Sequence, residues 1–299
     1  MNIHINNILK SIEYQLGTKI DSHQTLSDRR GSVVLKIESN HMQSLVKITD
    51  LNFEHPVFSK DEKRIIAERE VTILKYLKEQ RTSFDYYITD GSLNNYHWLL
   101  MRYIQGESIL EVLKKTFAET PKTEEFQQKI IVLFVSILKK INELHKVNIL
   151  HGDIQPAHFK IDTKGDVHIL DFELSRLVNE KTPLYAGALM HFVAPEIAKG
   201  MLEKSKYIEY DIYSETYAII ATLFFLYTKK VPINYGTENI RKMSFSDALK
   251  AVLSNQILSF PDLELKPFPI LEQLFEQGLK REKKDRYNSI DTILSAILT

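Results

Sequence analysis

Two aspartates stand where the sequence could carry out phosphate chemistry. Asp153 lies in the polar run His-Gly-Asp-Ile-Gln-Pro-Ala-His at 151–158, and Asp171 follows in the run His-Ile-Leu-Asp-Phe-Glu-Leu. Taken singly, an aspartate can cap a turn or end a strand without any chemical role. Taken together, one carboxylate can orient the hydroxyl group that receives a phosphate while the other holds Mg²⁺ on the nucleotide. The pair therefore favours phosphoryl transfer.

A predicted β-hairpin must position these two aspartates. Residues 158–162 and 167–171 have the pattern of short strands, and the Thr-Lys-Gly-Asp run between them is typical of a turn. The loop with Asp153 enters the first strand, and Asp171 ends the second. Both carboxylates are therefore predicted to lie at one end of the ribbon and to face the same space.

The remaining patterns predict an α+β protein with two lobes. Helices are expected over 61–78 and 124–146 from the spacing of their apolar residues, and strands over 31–38, 44–49 and 96–104. Helical patterns dominate from about residue 193. This order predicts a small β-rich N-lobe over residues 1–104 and a larger, mainly helical C-lobe over 105–299.

Composition argues against several other classes of protein. The chain has 299 residues, with 39 Lys and Arg against 39 Asp and Glu, and no basic run with interleaved aromatic residues suggests nucleic-acid binding. It has no cysteine, which excludes thiolate metal sites and cysteine nucleophiles. The longest apolar run, 218–227, is about half the ~20 residues of a membrane span, so we interpret it as a buried helix. We expect no nucleic-acid or membrane partner and, without a signal-peptide pattern, a cytoplasmic location.

The order of motifs resembles the eukaryotic-like protein kinase family along nearly the whole chain. The matching segments, in order, are Ser-Leu-Val-Lys-Ile with Lys47, the helix with Glu70, Leu-Leu-Met-Arg-Tyr-Ile with Met101, the loop with Asp153, Asp171-Phe172, Val-Ala-Pro-Glu ending at Glu196, Asp-Ile-Tyr-Ser with Asp211, and Arg286. The resemblance implies a bilobal kinase-like fold, ATP with Mg²⁺ or Mn²⁺ as cofactors, and a protein or peptide substrate.

The resemblance also implies roles for individual residues. Asp153, Lys47 and Gln155 are expected to be catalytic, and Asp171, His158 and Glu173 to bind metal. Glu70 is expected to pair with Lys47, although the charged turn leaves Glu68 as an alternative. The other expected nucleotide-binding residues are Val33, Leu45, Met101, Arg102 and Ile104. Asp211 is expected to anchor the catalytic loop, and Glu196 to pair with Arg286.

The nucleotide-binding segments depart from the family pattern. Leu26 and Asp28 stand where a glycine-rich loop would have glycines, and their side chains would keep the backbone away from phosphates. A longer loop over 22–30 is the alternative. Leu45 replaces the usual small alanine and should crowd the base.

The catalytic segments depart as well. Gln155 replaces a lysine, and His158 replaces a metal-binding asparagine. Imidazole is a poor ligand for Mg²⁺ but a fair ligand for Mn²⁺, and the sequence leaves the choice between the two metals open. Glu173 replaces the glycine of Asp-Phe-Gly and could either bind metal or pair with the helix of Glu70. Gly152 replaces an arginine that usually pairs with a phosphorylated activation loop, so Thr182 and Tyr185 are predicted to be ordinary loop residues. The usual threonine before Ala-Pro-Glu is also missing.

Three functions therefore remain open. The first is an active kinase, because the chain retains Lys47, Glu70, Asp153 and Asp171. Its His-Gly-Asp and Asp-Phe-Glu motifs are similar to those of the kinase domain of class III lanthipeptide synthetases, which phosphorylates Ser or Thr of a peptide. A pseudokinase that acts as a binding or scaffold module would explain the departures. A small-molecule phosphotransferase of the aminoglycoside or choline kinase type also uses a His-Gly-Asp loop, but Ala-Pro-Glu and Arg286 favour the protein kinase C-lobe.

Overall fold

The computed structural model describes residues 2–29, 31–54, 59–119, 124–178, 180, 189–205, 208–237 and 240–298. These residues form two compact units, an N-terminal unit over Met1–Ile104 and a C-terminal unit over Gln105–Thr299. Each unit is described by itself. None of the helices in these described ranges is both long and apolar enough to cross a membrane.

The N-terminal unit is a five-stranded antiparallel sheet with two helices. Its strand order is β1-β2-β3-β5-β4. The elements are α1 (Asn2–Leu16), β1 (Ser22–Arg29), β2 (Ser32–Ser39), β3 (Met42–Asp50), α2 (Lys60–Glu79), β4 (Tyr87–Leu93) and β5 (Tyr96–Arg102). The sheet and α2 confirm the predicted β-rich lobe.

Helix α1 covers one face of this sheet. Its residues Ile8 and Ile12 are fully buried, and Ile5, Leu9 and Leu16 extend the same apolar stripe at helical spacing. The stripe packs against alternate residues of the central strands, which are listed as Val33, Leu35, Ile37, Val46, Ile48, Trp98 and Leu100. The hydrophobic core of this unit therefore lies between α1 and the sheet.

Local sequence explains why strands and helix begin where they do. Asn40 and His41 both have positive φ, 48° and 63°, which suits the two-residue turn that joins β2 to β3. Ser59 and Glu62 form a reciprocal capping box at the start of α2, with Ser59 accepting from the Glu62 N–H and Glu62 from the Ser59 N–H.

The C-terminal unit is mainly helical, as predicted. Its helices are α3 (Ile109–Glu119), α4 (Glu124–Lys146), α5 (Pro195–Leu202), α6 (Ile212–Thr228), α7 (Phe245–Ser254), α8 (Pro269–Gly278) and α9 (Ile290–Leu298). Its short strands are β6 (Gly106–Ser108), β7 (Ile149–Leu150), β8 (Phe159–Asp162), β9 (Val167–Ile169) and β10 (Arg176–Leu177). Most residues of α6 are buried, which confirms that the apolar run 218–227 belongs to a core helix.

The predicted hairpin is present but slightly shorter than expected. Strands β8 and β9 pair antiparallel, with Phe159 opposite Ile169 and Ile161 opposite Val167. His158 belongs to a 3₁₀ turn before β8, and Asp171 lies two residues beyond β9. Both side chains therefore extend from the irregular ends of the ribbon rather than from its paired residues.

Candidate active site

The sheet of the N-terminal unit presents a buried ion pair. Lys47 on β3 donates to Glu70 on α2, with 2.8 Å between Nζ and Oε2, and the two side chains are 12% and 4% exposed. Glu70 rather than Glu68 is thus the partner of Lys47. Because the charges of a buried pair must be desolvated, the pair adds little net stability and is better explained by a role in binding.

Strand register decides which side chains share the face of Lys47. Directly opposed residues in a sheet project to the same face, and residues two apart along a strand do so as well. Lys47 is opposite Val34 on one side and Leu99 on the other, while Leu45 is opposite Lys36 and Met101. Of the predicted base-binding residues, Leu45 and Met101 therefore share the face of Lys47, and both are half-buried. Ile104 lies just beyond β5 and is also half-buried.

Two of the predicted nucleotide-binding residues lie on the other face. Val33 is opposite Ile48 and is buried under α1, and Arg102 is opposite Ser44. Both side chains therefore point away from the face of Lys47, since a shift of one residue along a strand moves a side chain to the opposite face. Their assignment to nucleotide binding stays a prediction. Val34, which is opposite Lys47, lies on the face of Lys47 instead.

Strands β1 and β2 are separated along the chain by two residues and not by an extended loop. Strand β1 pairs with β2 up to Arg29 opposite Ser32, so only residues 30 and 31 lie between the strands. Gly31 has φ of +77°, a conformation that favours glycine. The alternative of a longer loop over 22–30 is therefore wrong. Asp28 is opposite Val33, on the face away from Lys47, and Ser27 takes the place beside Val34.

Lys36 is a candidate nucleotide-binding residue that sequence reasoning missed. It lies opposite Leu45 on the face of Lys47, and its Nζ is 4.7 Å from the centroid of the Tyr103 ring. A lysine in a strand usually extends into solvent, and only the register reveals which face it occupies. The cation–π contact holds its charge close to the end of β5.

In the C-terminal unit, Asp153 is held by several hydrogen bonds. Gln155 Nε2 donates to both carboxylate oxygens at 3.0 Å, and the backbone N–H of Leu189 also donates to this carboxylate. Leu189 lies six residues before Pro195, in the segment where the family's usual threonine is missing. Burial raises the pKa of Asp153 to about 6, although His158 and Gln155 oppose that shift.

His158 lies between the two aspartates. Its Nδ1 is 2.9 Å from the backbone oxygen of Asp153, and since a carbonyl only accepts, Nδ1 carries the proton and donates. Its Nε2 is 3.6 Å from Oδ2 of Asp171. The structure thus brings Asp153, His158 and Asp171 together at one end of the β8–β9 ribbon.

The donor atoms at His158 and Asp171 fit a divalent metal ion. The Nδ1 hydrogen bond leaves the Nε2 lone pair free for a ligand, as in many metal-binding histidines. Adjacent ligands of a six-coordinate ion at ~2.1 Å lie about 3 Å apart, and opposite ligands about 4 Å apart. A separation of 3.6 Å between Nε2 and Oδ2 falls within this range. A nitrogen beside carboxylate oxygens suits Mn²⁺ better than Mg²⁺.

The backbone at Asp171 is unusual for a residue with a side chain. Its φ is 67°, in the left-handed region. Such a conformation is typical of functional segments whose surroundings hold the chain in place. Glu173 is half-buried two residues further on.

Gly152 is required by its surroundings. Its φ is +79°, and a Cβ atom built on it would lie only 2.3 Å from the backbone oxygen of Leu174. The catalytic loop therefore passes too close to the segment after Phe172 for any side chain at residue 152. This explains why an arginine is absent here. Thr182 and Tyr185, the activation-loop residues named above, lie outside the described residues.

Glu215, and not Asp211, anchors the catalytic loop. Its carboxylate is fully buried and accepts from the N–H groups of His151 and Gly152, both at 2.8 Å. His145 Nε2 and Tyr210 Oη complete the network at 2.9 Å each. Burial opposes ionisation of Glu215, but the contacts with His145 and Gly152 outweigh it and the pKa is lowered.

Asp211 has a different role from the one predicted. Its Oδ1 accepts from the Ser214 N–H as the N-cap of α6, and its Oδ2 accepts from Lys283 at 2.8 Å. The motif Asp-Ile-Tyr-Ser suggested the wrong carboxylate because Glu215 lies one helical turn further along the same helix. The only sequence signal for Glu215 was a charged residue at the start of an otherwise apolar helix.

The predicted pair of Glu196 and Arg286 is present. Arg286 donates through two nitrogens to the two carboxylate oxygens at 2.9 and 2.8 Å. This bidentate geometry fixes the start of α5. Ser214 donates to the same carboxylate at 2.7 Å, which connects α5 to α6.

Comparison with known proteins identifies the family of this chain. The family model described as the protein kinase domain matches residues 29–296. The chain belongs to the protein kinase family. The resemblance to protein kinases seen in the sequence is thereby confirmed.

Similar proteins in bacteria and in Dictyostelium are named as serine/threonine-protein kinases. A probable kinase of Clostridium acetobutylicum is 28% identical over 212 residues, which cover 69% of this chain and 29% of that protein. PrkC of Bacillus subtilis is 24% identical over 147 residues, 48% of this chain and 21% of PrkC. A probable kinase of Dictyostelium discoideum is 23% identical over 284 residues, 85% of this chain and 65% of that protein. The chain thus spans less than a third of each of the two bacterial kinases.

Proposed function

We propose that this protein transfers the γ-phosphate of ATP to a serine or threonine hydroxyl of a protein or peptide, with Mn²⁺ or Mg²⁺ bound. The observation that carries the proposal is the buried Lys47–Glu70 ion pair, with 2.8 Å between its charged atoms. A domain that only binds other proteins has no need to keep a lysine and a glutamate desolvated on this sheet. The choice of serine or threonine rests on the names of the relatives.

Each residue has a defined task in this reaction. Lys47, oriented by Glu70, would bind phosphate oxygens. Asp171 and His158 Nε2 would hold the metal ion, whose positive charge would offset that of the phosphates. Glu173 is a further candidate metal ligand. Asp153 orients the acceptor hydroxyl and accepts its proton, and Gln155 holds both oxygens of Asp153 in place. Val34, Leu45, Met101 and Ile104 are the proposed contacts of the base.

Phosphoryl transfer by wild type and two matched variants tests this proposal. The assay follows radiolabelled phosphate from ATP into a serine- and threonine-containing peptide library with Mn²⁺ or Mg²⁺. Asp153→Asn and Asp171→Asn should each lower the rate by about a hundredfold or more. The control is Asp166→Asn, an exposed carboxylate on the same hairpin, which should leave the rate unchanged. Undiminished transfer in Asp153→Asn or Asp171→Asn would rule out these assignments.

A pseudokinase is the second candidate, and one observation favours it. The two residues between β1 and β2 provide no extended glycine-rich backbone to bind phosphates, and Leu45 replaces the small alanine on the face where a base would lie. Under this alternative, the wild type would transfer no phosphate and bind no metal nucleotide, while the fold would remain intact.

A further inference from the structure

The C-terminal unit contains a cavity that lies apart from Asp153 and its neighbours. Its volume is about 530 Å³, within the range of pockets that hold drug-sized ligands or peptide side chains. The apolar side chains that line it are Phe224, Ile257, Leu258, Phe260, Phe275 and Leu279. None of the residues assigned to phosphoryl transfer contributes to its wall.

Aromatic rings form much of the wall. Phe224 and Phe275 meet edge to face with centroids 5.2 Å apart, and Phe260 and Phe275 are tilted with centroids 6.1 Å apart. Rings arranged in this way can accept the edge or face of a further ring. The wall therefore favours an aromatic group as the buried part of an occupant.

The neutral polar groups of the cavity already have partners. Asn255 donates to the Leu279 backbone oxygen at 2.8 Å and accepts from Tyr217 Oη at 2.9 Å. Ser259 donates to Asp262 at 2.6 Å. These groups complete the local fold, so specificity for an occupant must come from the charged groups at the rim.

The rim has four charged side chains, and the two negative ones precede the two positive ones along the chain. Glu272 and Glu276 are one turn apart on α8, and Lys280 and Arg281 follow just after this helix ends. Glu272 accepts from the Phe268 N–H at 2.7 Å. The side chains of Glu276, Lys280 and Arg281 are exposed, and within the described part of the chain they have no hydrogen-bond or ion-pair partner.

The cationic end of the rim is held in a fixed position. Buried Arg286 donates to the backbone oxygens of Lys280 and Arg281, at 2.6 Å each, and at the same time pairs with Glu196. The backbone beneath both cations is therefore rigid. Only their side chains need to be ordered when an occupant binds.

We propose that this cavity is a docking site for a peptide segment of a partner protein, in which an aromatic residue lies between a basic and an acidic residue. The aromatic side chain enters the cavity against Phe275. The basic residue lies at Glu272 and Glu276, and the acidic residue lies at Lys280 and Arg281. One helical turn rises by about 5.4 Å, so the two charged ends are about 6–12 Å apart. That distance corresponds to two to four residues of extended chain.

The charge pattern favours a peptide over a lipid or a small organic acid. An amphiphile with a single charge would be attracted by only one end of this rim and would leave the charges at the other end without a partner. A peptide segment can present both signs at the required separation, with its apolar side chain between them. This docking site is independent of the phosphoryl-transfer chemistry proposed above.

Fluorescence anisotropy with a labelled synthetic peptide tests this proposal on the full chain. The probe is acetyl-Lys-Gly-Trp-Gly-Glu-amide, and saturable binding is expected. Replacing Trp by Ala in the peptide should weaken binding about tenfold or more, because burial of a large apolar side chain is lost. Replacing Lys and Glu by Gln should also weaken binding, by a few-fold.

Variants of the protein locate the binding site. Glu276→Lys and Lys280→Glu should each weaken binding about threefold or more, because each turns an attraction into a repulsion. Lys284→Glu is the matched control for Lys280→Glu. Lys284 is exposed and lies outside the cavity wall, and its replacement by glutamate changes the net charge by the same amount. Leu258→Trp should abolish binding by filling the cavity. Glu276→Lys and Lys280→Glu still test the proposal if Leu258→Trp unfolds the protein.

Several outcomes would overturn the proposal. These are the absence of saturable binding at peptide concentrations up to about 1 mM, equal binding of the Trp and Ala peptides, and an equal effect of Lys280→Glu and Lys284→Glu. If the peptide with Gln at both charged positions binds as tightly as the probe, the occupant is an apolar molecule and not the segment proposed here.

Discussion

Replacing Glu215 by glutamine should destabilise the protein far more than replacing Asp211 by asparagine. Two donors point at each oxygen of the buried Glu215 carboxylate, namely the His151 N–H and His145 at one, and the Gly152 N–H and Tyr210 Oη at the other. In Glu215→Gln, an NH₂ group replaces one of these oxygens. In either orientation it faces two donors, and it cannot accept from them.

The magnitude follows from the number of donors that lose their acceptor. Each buried donor left without a partner costs ~1–3 kcal/mol, so two cost about 2–6 kcal/mol before relaxation. Rotation of the Tyr210 hydroxyl reduces this to about 2–4 kcal/mol. Asp211 is about 29% exposed, and asparagine is an equally good N-cap. Losing the charge opposite Lys283 should cost about 1 kcal/mol or less.

Urea unfolding and amide exchange measure the two effects. Unfolding free energies should rank wild type and Asp211→Asn close together and Glu215→Gln lowest. The amide protons of His151 and Gly152 should lose protection from exchange in Glu215→Gln but keep it in Asp211→Asn. If Asp211→Asn were the more damaging change, or if these two amides kept their protection in Glu215→Gln, the assignment of Glu215 as the anchor would be wrong.

Three further predictions concern the residues around the site. Gly152→Ala should lower the unfolding free energy by about 1–3 kcal/mol, measured in urea, because φ is +79° and the added Cβ would clash with Leu174; an unchanged stability would contradict this. His158→Asn should raise phosphoryl transfer with Mg²⁺ relative to Mn²⁺, since Mg²⁺ prefers oxygen ligands, and an unchanged ratio of rates would exclude His158 from the metal site. Val33→Ala should cost about 1–3 kcal/mol of stability with ATP affinity unchanged, whereas Val34→Ala should weaken ATP binding in calorimetry, and the reverse result would disprove the register argument.

Strong periodic patterns in the sequence were sufficient to predict most of the fold. Helices α2 and α4 lie within one residue of the ranges 61–78 and 124–146, since their apolar spacing and charged ends leave few alternatives. The edge strands β1 and β4 were not predicted. Most residues of β1 are polar and exposed, so the apolar alternation that identifies a strand is missing.

The candidate site was predictable where a short motif carried it. Lys47, Glu70, Asp153 and Asp171 were named from sequence, and the structure adds the Lys47–Glu70 contact and the position of His158 beside both aspartates. The sequence did not show on which face of the sheet Val33 and Arg102 lie, because that depends on the register of β2 with β3 and of β3 with β5. A shift of one residue in either strand would exchange the two faces.

Glu215 shows a different limit of sequence reasoning. Asp211 and Glu215 are one turn apart on α6, and either could reach the catalytic loop in principle. The choice depends on Lys283, which is distant in sequence and pairs with Asp211. Such a long-range charge contact cannot be derived from a local motif.

The most direct test of the central claim is the thermal stability of the protein with ATP in the presence of Mn²⁺, Mg²⁺ or EDTA. A ligand at a hundred times its Kd stabilises the folded state by about 2.7 kcal/mol, which raises Tm by several degrees. We expect this rise with either metal, larger with Mn²⁺, and its loss in EDTA and in Asp171→Asn, while Asp166→Asn behaves as wild type. No rise under any condition, or the same rise in Asp171→Asn, would contradict the assignment of a metal–nucleotide site to this protein.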